Sequence, residues 1–278
     1  MKRYLVWGLV LPFVLWNLTF VIVPLFIVLY QSLYPMGPDY TVTTQASLAN
    51  FRVAFSQANL EVMGRSAIYA GATTIACMLL GYPLAYYIAV YGGRMRSQLL
   101  ILVVLPFWTS YLVRTFSWIT LLQTEGVINR VLQALHLITE PLQMLNTHFS
   151  VILGLTYGFL PFATLPIYVS LENQDRSLVE AAHDLGATPS QAFWKVVFPL
   201  SLPGVISGSL ITFVPAMGDF VSADILGSPR TQMIGNLIQQ QFLALFDWPM
   251  GSALSLVLML LMVTSMALYV MLAGDRHA

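Results

Sequence analysis

A chain of 278 residues that is 58% hydrophobic and only 9% charged cannot cover a water-facing surface, since soluble domains carry about 25% charged residues. Twelve cations balance twelve anions, which leaves no basic field for nucleic acid, and the single Cys77 excludes a disulfide framework or a multi-cysteine metal site. Lipid must solvate much of the protein, and the length fits one transmembrane domain over residues 1–278.

Charge-free runs lie at Tyr4–Pro38, Ser66–Gly93, Ser97–Val113, Pro141–Leu171, Val196–Gly218 and Trp248–Gly274. Crossing the hydrocarbon takes about 20 apolar residues as a helix. The first run is too long for the core of a cleaved signal peptide. The third is short, but continuing past Arg114 through Thr115–Thr124 makes it a full span. The expectation is an all-α integral membrane protein with six transmembrane helices. Orientation follows the lysines and arginines of the short loops. With the N-terminus inside, the inner segments hold Lys2, Arg3, Arg94, Arg96, Arg176, Lys195 and Arg276. The outer ones hold Arg52, Arg65, Arg130 and Arg230. That excess places both termini, and the loop over about 172–200, in the cytosol.

The stretch EAAHDLGATPSQAFWKVVFPLSLPG, Glu180–Gly204, is unusually polar for this chain. Leu178, Ala181 or Ala182, and Leu185 recur at helical spacing. Gly186 suits the left-handed residue that ends a helix. Thr188 or Ser190 can cap a second one, with Pro189 in its first turn. That second helix is expected over Gln191–Phe198, and Pro199 and Pro203 mark the return to the membrane. Such an elbow either connects two spans along the interface or docks a soluble partner.

The spacing Glu180-Ala181-Ala182, Gly186, Val196-Val197-Phe198-Pro199 resembles the E-A-A-x3-G-x9-I-x-L-P signature of permease subunits of binding-protein-dependent ABC importers. Val and Phe replace Ile and Leu without loss of hydrophobic character. The resemblance implies a type I permease fold, with Glu180, Ala181, Ala182, Gly186 and Pro199 in a coupling helix that enters a groove of the ATP-binding subunit. It extends over most of the chain. GYPLAYYIA at Gly81–Ala89, LPFWTSYLVRTFSWITLL at Leu105–Leu122, GFLPFATLPIY at Gly158–Tyr168, PAMGDFVSADILG at Pro215–Gly227, MIGNLI at Met233–Ile238 and DWP at Asp247–Pro249 are similar to the spermidine/putrescine permeases, B/H-type subunit. The resemblance implies polyamine import across a bacterial inner membrane. It also implies as partners a second permease, two ATP-binding subunits and an extracytoplasmic solute-binding protein. Related importers carry opines, thiamine, iron or other small solutes on the same scaffold.

Asp219 and Asp224 lie in or at the edge of the fifth run. An ionisable residue at membrane depth is costly and faces a cavity or pairs with another charge. Ser209, Thr212, Ala216 and Asp219 fall on one stripe, which suits a translocation pathway; the alternative is that small residues pack helices and Asp219 bonds a neighbour. Asp224 points elsewhere. Arg114 shares a helical face with Ser110 and Ser117. It is a candidate ion partner for Asp219 or Asp224, a snorkelling residue, or a ligand for an anion. With a polyamine cargo its role is structural, gating or repulsive. Trp108, Tyr111 and Trp118 share the third span. Trp108 and Tyr111 are candidates for ammonium contacts, against the alternative of an interfacial aromatic belt.

No G-x-x-x-x-G-K-[ST] loop is present, so ATP and Mg are expected on a partner subunit and no cofactor in this chain. The four histidines form no H-x-x-x-H pair, and no G-x-S-x-G elbow exists. The chain is therefore not expected to be an enzyme. A secondary transporter should show discontinuous helices in paired halves and several buried coupling-ion residues; the sequence displays neither.

Overall fold

A computed structural model describes residues 2–37, 39 and 41–274. Pro38 at the end of the first run, and Arg276 and His277, lie outside the described residues. Among the described residues the regular elements are helices. In chain order they begin with α1, Lys2–Asn17, which passes through a π segment at Leu18–Ile22 into α2, Val23–Ser32. A short α3, Ala49–Ala54, leads to the long α4, Gln57–Tyr91. Then follow α5, Arg96–Val104; α6, Tyr111–Leu122; α7, Val127–Ala134; and α8, His148–Glu172. The elbow is α9, Arg176–Asp184, and α10, Pro189–Ala192. The chain ends with α11, Phe198–Gly218; α12, Val221–Leu226; α13, Ile234–Leu243; and α14, Trp248–Gly274.

Five stretches are long and apolar enough to cross a membrane: Val10–Ser32, Gln57–Tyr91, His148–Glu172, Pro189–Gly218 and Trp248–Tyr269. The sixth is broken. Gly93–Trp108 and Tyr111–Ala134 meet at 89°, so the third apolar run is not the single continuous span expected from its composition. Pro106 cannot donate into the helical ladder, and the last turn tightens to a 3-10 segment at Leu105–Trp108. Thr109 Oγ1 then donates to Pro106 O at 2.7 Å. That local bond competes with helix continuation, and Thr109 and Ser110 are extended. Ser110 thus lies outside α6 and shares no helical face with Arg114. One discontinuous helix is thus present among the described residues, without the counterpart that paired discontinuous halves require.

Two compact units divide the fold. One takes the described residues up to Glu61 together with Leu237–Val263. In it Asn50 Nδ2 donates to Ser32 O at 3.0 Å. Asp247 of the DWP motif accepts from the Met250 N–H at 2.9 Å, capping the start of α14. The other unit takes Val62–Asn236 and the described residues from Thr264 on. One core cluster joins α4, α8 and the residue just before α11 through Ala85, Ala89, Ile167, Leu171 and Val197. The α8–α11 pairing rests on glycine. A Cβ on Gly204 would stand 2.4 Å from Ser170 Cβ and 2.7 Å from Pro166 O, and one on Gly208 would stand 2.9 Å from Ala163 O. Close backbone approach at small residues holds membrane helices together, because lipid supplies no hydrophobic force between them. Pro161, Pro166, Pro203 and Pro215 sit inside these two helices, tolerated where neighbours satisfy the freed carbonyls.

Candidate functional site

The elbow forms as its residues dictate. Asp175 caps α9, accepting from the Ser177 N–H at 2.9 Å. Gly186 ends it at φ +84°. Its N–H donates to His183 O at 2.8 Å and the Ala187 N–H to Ala182 O at 3.0 Å, the paired bonds of a Schellman turn. Two residues later Thr188, not Ser190, caps α10: Thr188 Oγ1 accepts from the Gln191 N–H at 3.3 Å, and Gln191 Oε1 accepts from the Thr188 N–H at 2.9 Å. The second helix does not run as a separate piece over Gln191–Phe198. It passes through a π segment, Phe193–Val197, into α11 without a break. There the Phe198 N–H reaches Phe193 O, five residues back. Pro199 has no N–H to restore the ordinary register.

This geometry turns the apolar face of α9 outward. Leu185 is 89% exposed and Leu178 47%, and Trp194 nearby is 60% exposed. Glu180, Ala181 and Gly186 are exposed beside them. Behind the elbow is a cavity of about 230 Å3 lined by Tyr86, Leu171, Glu172, Arg176, Glu180 and Val197 among others. Gln174 Nε2 donates to Val197 O at 3.0 Å, fastening the linker to the π segment. Arg96 pairs with Glu172 and donates to Ala89 O at 2.8 Å. The broken third helix is thereby tied to the last turn of α8, at the root of the elbow.

The second cluster gathers at the helix break. Asp219 is not inside the fifth helix but follows its last residue, with extended ψ 132°. Tyr111, at the first turn of α6, donates its hydroxyl to Asp219 Oδ2 at 2.8 Å and bonds Ser222 Oγ at 2.7 Å. The Ser222 N–H donates to Asp219 Oδ1 at 2.8 Å. Gly158 makes room for the ring, since a Cβ there would stand 2.9 Å from Tyr111 Cε2. Arg114 lies one turn along α6, its guanidinium carbon 5.0 Å from the Phe107 centroid, 5.6 Å from Tyr111 and 5.9 Å from Tyr157. Among the described residues it forms no ion pair with Asp219 or Asp224.

Of the residues singled out by sequence, Tyr111, Arg114 and Asp219 are therefore brought together. Trp108 is not, being 80% exposed at the end of its 3-10 turn. Asp224 is exposed on α12. Thr212 is fully buried within α11, its hydroxyl without a hydrogen-bond partner. Phe107, Tyr157 and Ser222 escaped the sequence reading. Their signal was proximity to the break, and one-dimensional spacing does not carry that.

Comparison with known proteins supplies the family. Residues 78–276 match the binding-protein-dependent transport system inner membrane components. The chain is 38% identical over 254 residues to the spermidine/putrescine transport system permease protein PotB of Haemophilus influenzae, covering 91% of this chain and 89% of that one. It is 37% identical over 255 residues to the inner membrane ABC transporter permease protein YdcU of Escherichia coli, covering 86% and 80%. In fold it is similar to a chain of a bacterial ABC transporter involved in import of the acidic polysaccharide alginate, with a TM-score of 0.77 at 17% identity, covering 100% of this chain and 97% of that one. With these matches beside the helical fold and its exposed elbow, the chain belongs to the family of inner membrane permease components of binding-protein-dependent ABC importers.

Proposed function

We propose that this chain is one transmembrane half of an ATP-driven polyamine importer, its elbow seated in a cytosolic ATP-binding subunit. The observation that carries the cargo is the likeness to the PotB proteins over 91% of the chain. The docking role is supported by an apolar face, Leu178 and Leu185, that is turned outward on a helix fixed at both ends by caps. Both termini lie on the cytosolic side with the elbow. A second permease, two ATP-binding subunits and an extracytoplasmic solute-binding protein complete the assembly. ATP is hydrolysed in the partner subunits.

Nucleotide shifts the permease between inward- and outward-facing states only as far as its affinity for the two differs. In this chain the elbow is where that difference enters. Closing the ATP-binding subunits moves α9, and Gln174 and the Arg96–Glu172 pair pass the movement to α11, α8 and α5. The glycine-packed α8 and α11 move together and carry Asp219 relative to Tyr111 at the broken helix. An acidic group beside aromatic rings at such a break suits an ammonium in transit.

Two measurements test the proposal. Cells relying on this transporter take up labelled spermidine, and uptake disappears when the chain is absent; unchanged uptake, with no other polyamine route, refutes the cargo. Glu180→Lys abolishes co-purification of the ATP-binding subunit and uptake together. A Glu180→Lys transporter that assembles and imports normally refutes the docking role.

A further inference from the structure

Arg114 is a half-buried cation, and two of its nitrogens lack their usual partners. Its Nε and Nη1 are shielded from solvent and make no hydrogen bond. Structural arginines bind carboxylates or carbonyls through a fork of five donors. Here the guanidinium instead faces three rings, Phe107, Tyr111 and Tyr157, all within 6 Å. That is the geometry of an aromatic cage for a cation. The rings are held by a second aromatic layer. Phe107 meets Phe162 edge-on at 5.0 Å, and Tyr157 meets Trp118 at 5.5 Å. Tyr111 is fixed by its bonds to Asp219 and Ser222, so one wall of the cage also carries a carboxylate.

We infer that the box of Phe107, Tyr111 and Tyr157 is a cation subsite that Arg114 fills from within the chain, and that a primary alkylammonium of the cargo displaces it. The assignment rests on the polyamine reading. The resident is readily exchanged because leaving forfeits ring faces but none of the hydrogen bonds its two buried nitrogens lack. A compact ammonium takes the same ring faces and adds the carboxylate of Asp219, which accepts from Tyr111 and Ser222 but has no cationic partner among the described residues. Phe107 precedes the break and Tyr111 and Arg114 follow it. Exchange therefore loosens the contact that spans Thr109–Ser110, and the empty subsite is closed by a like charge that repels other cations.

The test uses the assembled transporter in nanodiscs and proteoliposomes. Equilibrium binding of labelled spermidine is measured without the solute-binding protein, and ATP-driven uptake with it. Removing the resident with Arg114→Gln tightens spermidine binding by about tenfold, the equivalent of one ordinary cation–aromatic contact. Adding Phe107→Leu to that variant reverses the gain. Arg114→Met, which keeps the apolar stem, gives the same tightening should the Gln variant not assemble. Spermidine binding that is unchanged or weaker in Arg114→Gln or Arg114→Met overturns the cage, while wild-type uptake keeps the cargo reading intact. Wild-type vesicles that import no spermidine overturn the cargo reading, and the cage with it.

Discussion

Replacing Gly204 by Ala tests whether α8 and α11 are held by close backbone approach. The added methyl meets Ser170 Cβ at 2.4 Å, Pro166 O at 2.7 Å and Ile167 Cα at 3.1 Å. Carbon atoms in contact prefer about 3.5–4.0 Å. No flexible side-chain end is among the three, so the helices must part by roughly 1 Å, a gap that forfeits up to half of each dispersion contact along the seam. Overpacking of this kind costs about 1–3 kcal/mol, and the better helix propensity of Ala returns up to about 1 kcal/mol. The net loss is about 1–2 kcal/mol, or roughly 2–8 °C in melting temperature for a domain of this size. Gly208→Ala, 2.9 Å from Ala163 O, shifts in the same direction. Gly71→Ala is the internal control, because nothing lies within 4 Å of its added carbon; it is neutral or slightly stabilising. The assay is thermal denaturation of the purified, assembled transporter, with uptake per ATP hydrolysed as a second readout. Equal melting temperatures for Gly204→Ala and Gly71→Ala would refute the packing account.

Three further outcomes follow from local geometry. Gly186→Ala forces an L side chain into φ +84°, costing about 1–2 kcal/mol; the permease folds, the elbow angle changes, and ATP-driven uptake falls more than assembly does. Full uptake in that variant would show that the turn's angle is immaterial. Cys77 is fully buried on α4, its Sγ donating to Thr156 O at 3.5 Å, so a membrane-permeant maleimide labels it only after denaturation. Against that silent background, Leu185→Cys labels rapidly in the free permease and is protected once the ATP-binding subunit is present. Ser177, through its backbone N–H and then its hydroxyl, holds the Asp175 carboxyl below its ordinary 3.8. A carboxyl lowered in the folded state stabilises its helix fully above the unfolded value, and that contribution fades as pH falls through the folded one. Hydrogen exchange at the start of α9, corrected for its intrinsic rate, is therefore flat from about pH 8 to 5 and rises only below about pH 4. A rise near pH 6 would show that another group caps the helix.

The elbow was readable because its determinants are local. A left-handed glycine, a capping threonine and a first-turn proline act over a few bonds, and Gly186, Thr188 and Pro189 occupy those roles in the fold. The docking role proposed for it rests on the resemblance of its spacing to the permease signature, independently of any contact. The break within the third span is not legible in the sequence for a related reason. The span's hydrophobicity is sufficient for a crossing, but Pro106 and Thr109 stop the helix through a hydrogen bond that composition does not register. Trp108 looked equivalent to Tyr111 because both are aromatic on one apolar run. The break sends one outward and the other to Asp219.

Chain order and composition alone determined that lipid surrounds this protein, roughly where it crosses, and where a polar helical elbow interrupts the apolar runs, because burial in hydrocarbon and turn chemistry are properties of short segments. Only the tertiary structure decided which side chains meet at the break. Phe107, Tyr111 and Arg114 come from one segment, Tyr157 from α8 and Asp219 from beyond α11. What assembles them is the 89° bend and the room left at Gly158. Cation–aromatic and hydrogen-bond energies fall off within a few ångströms, so a site made of them exists only once distant stretches have been packed to that distance.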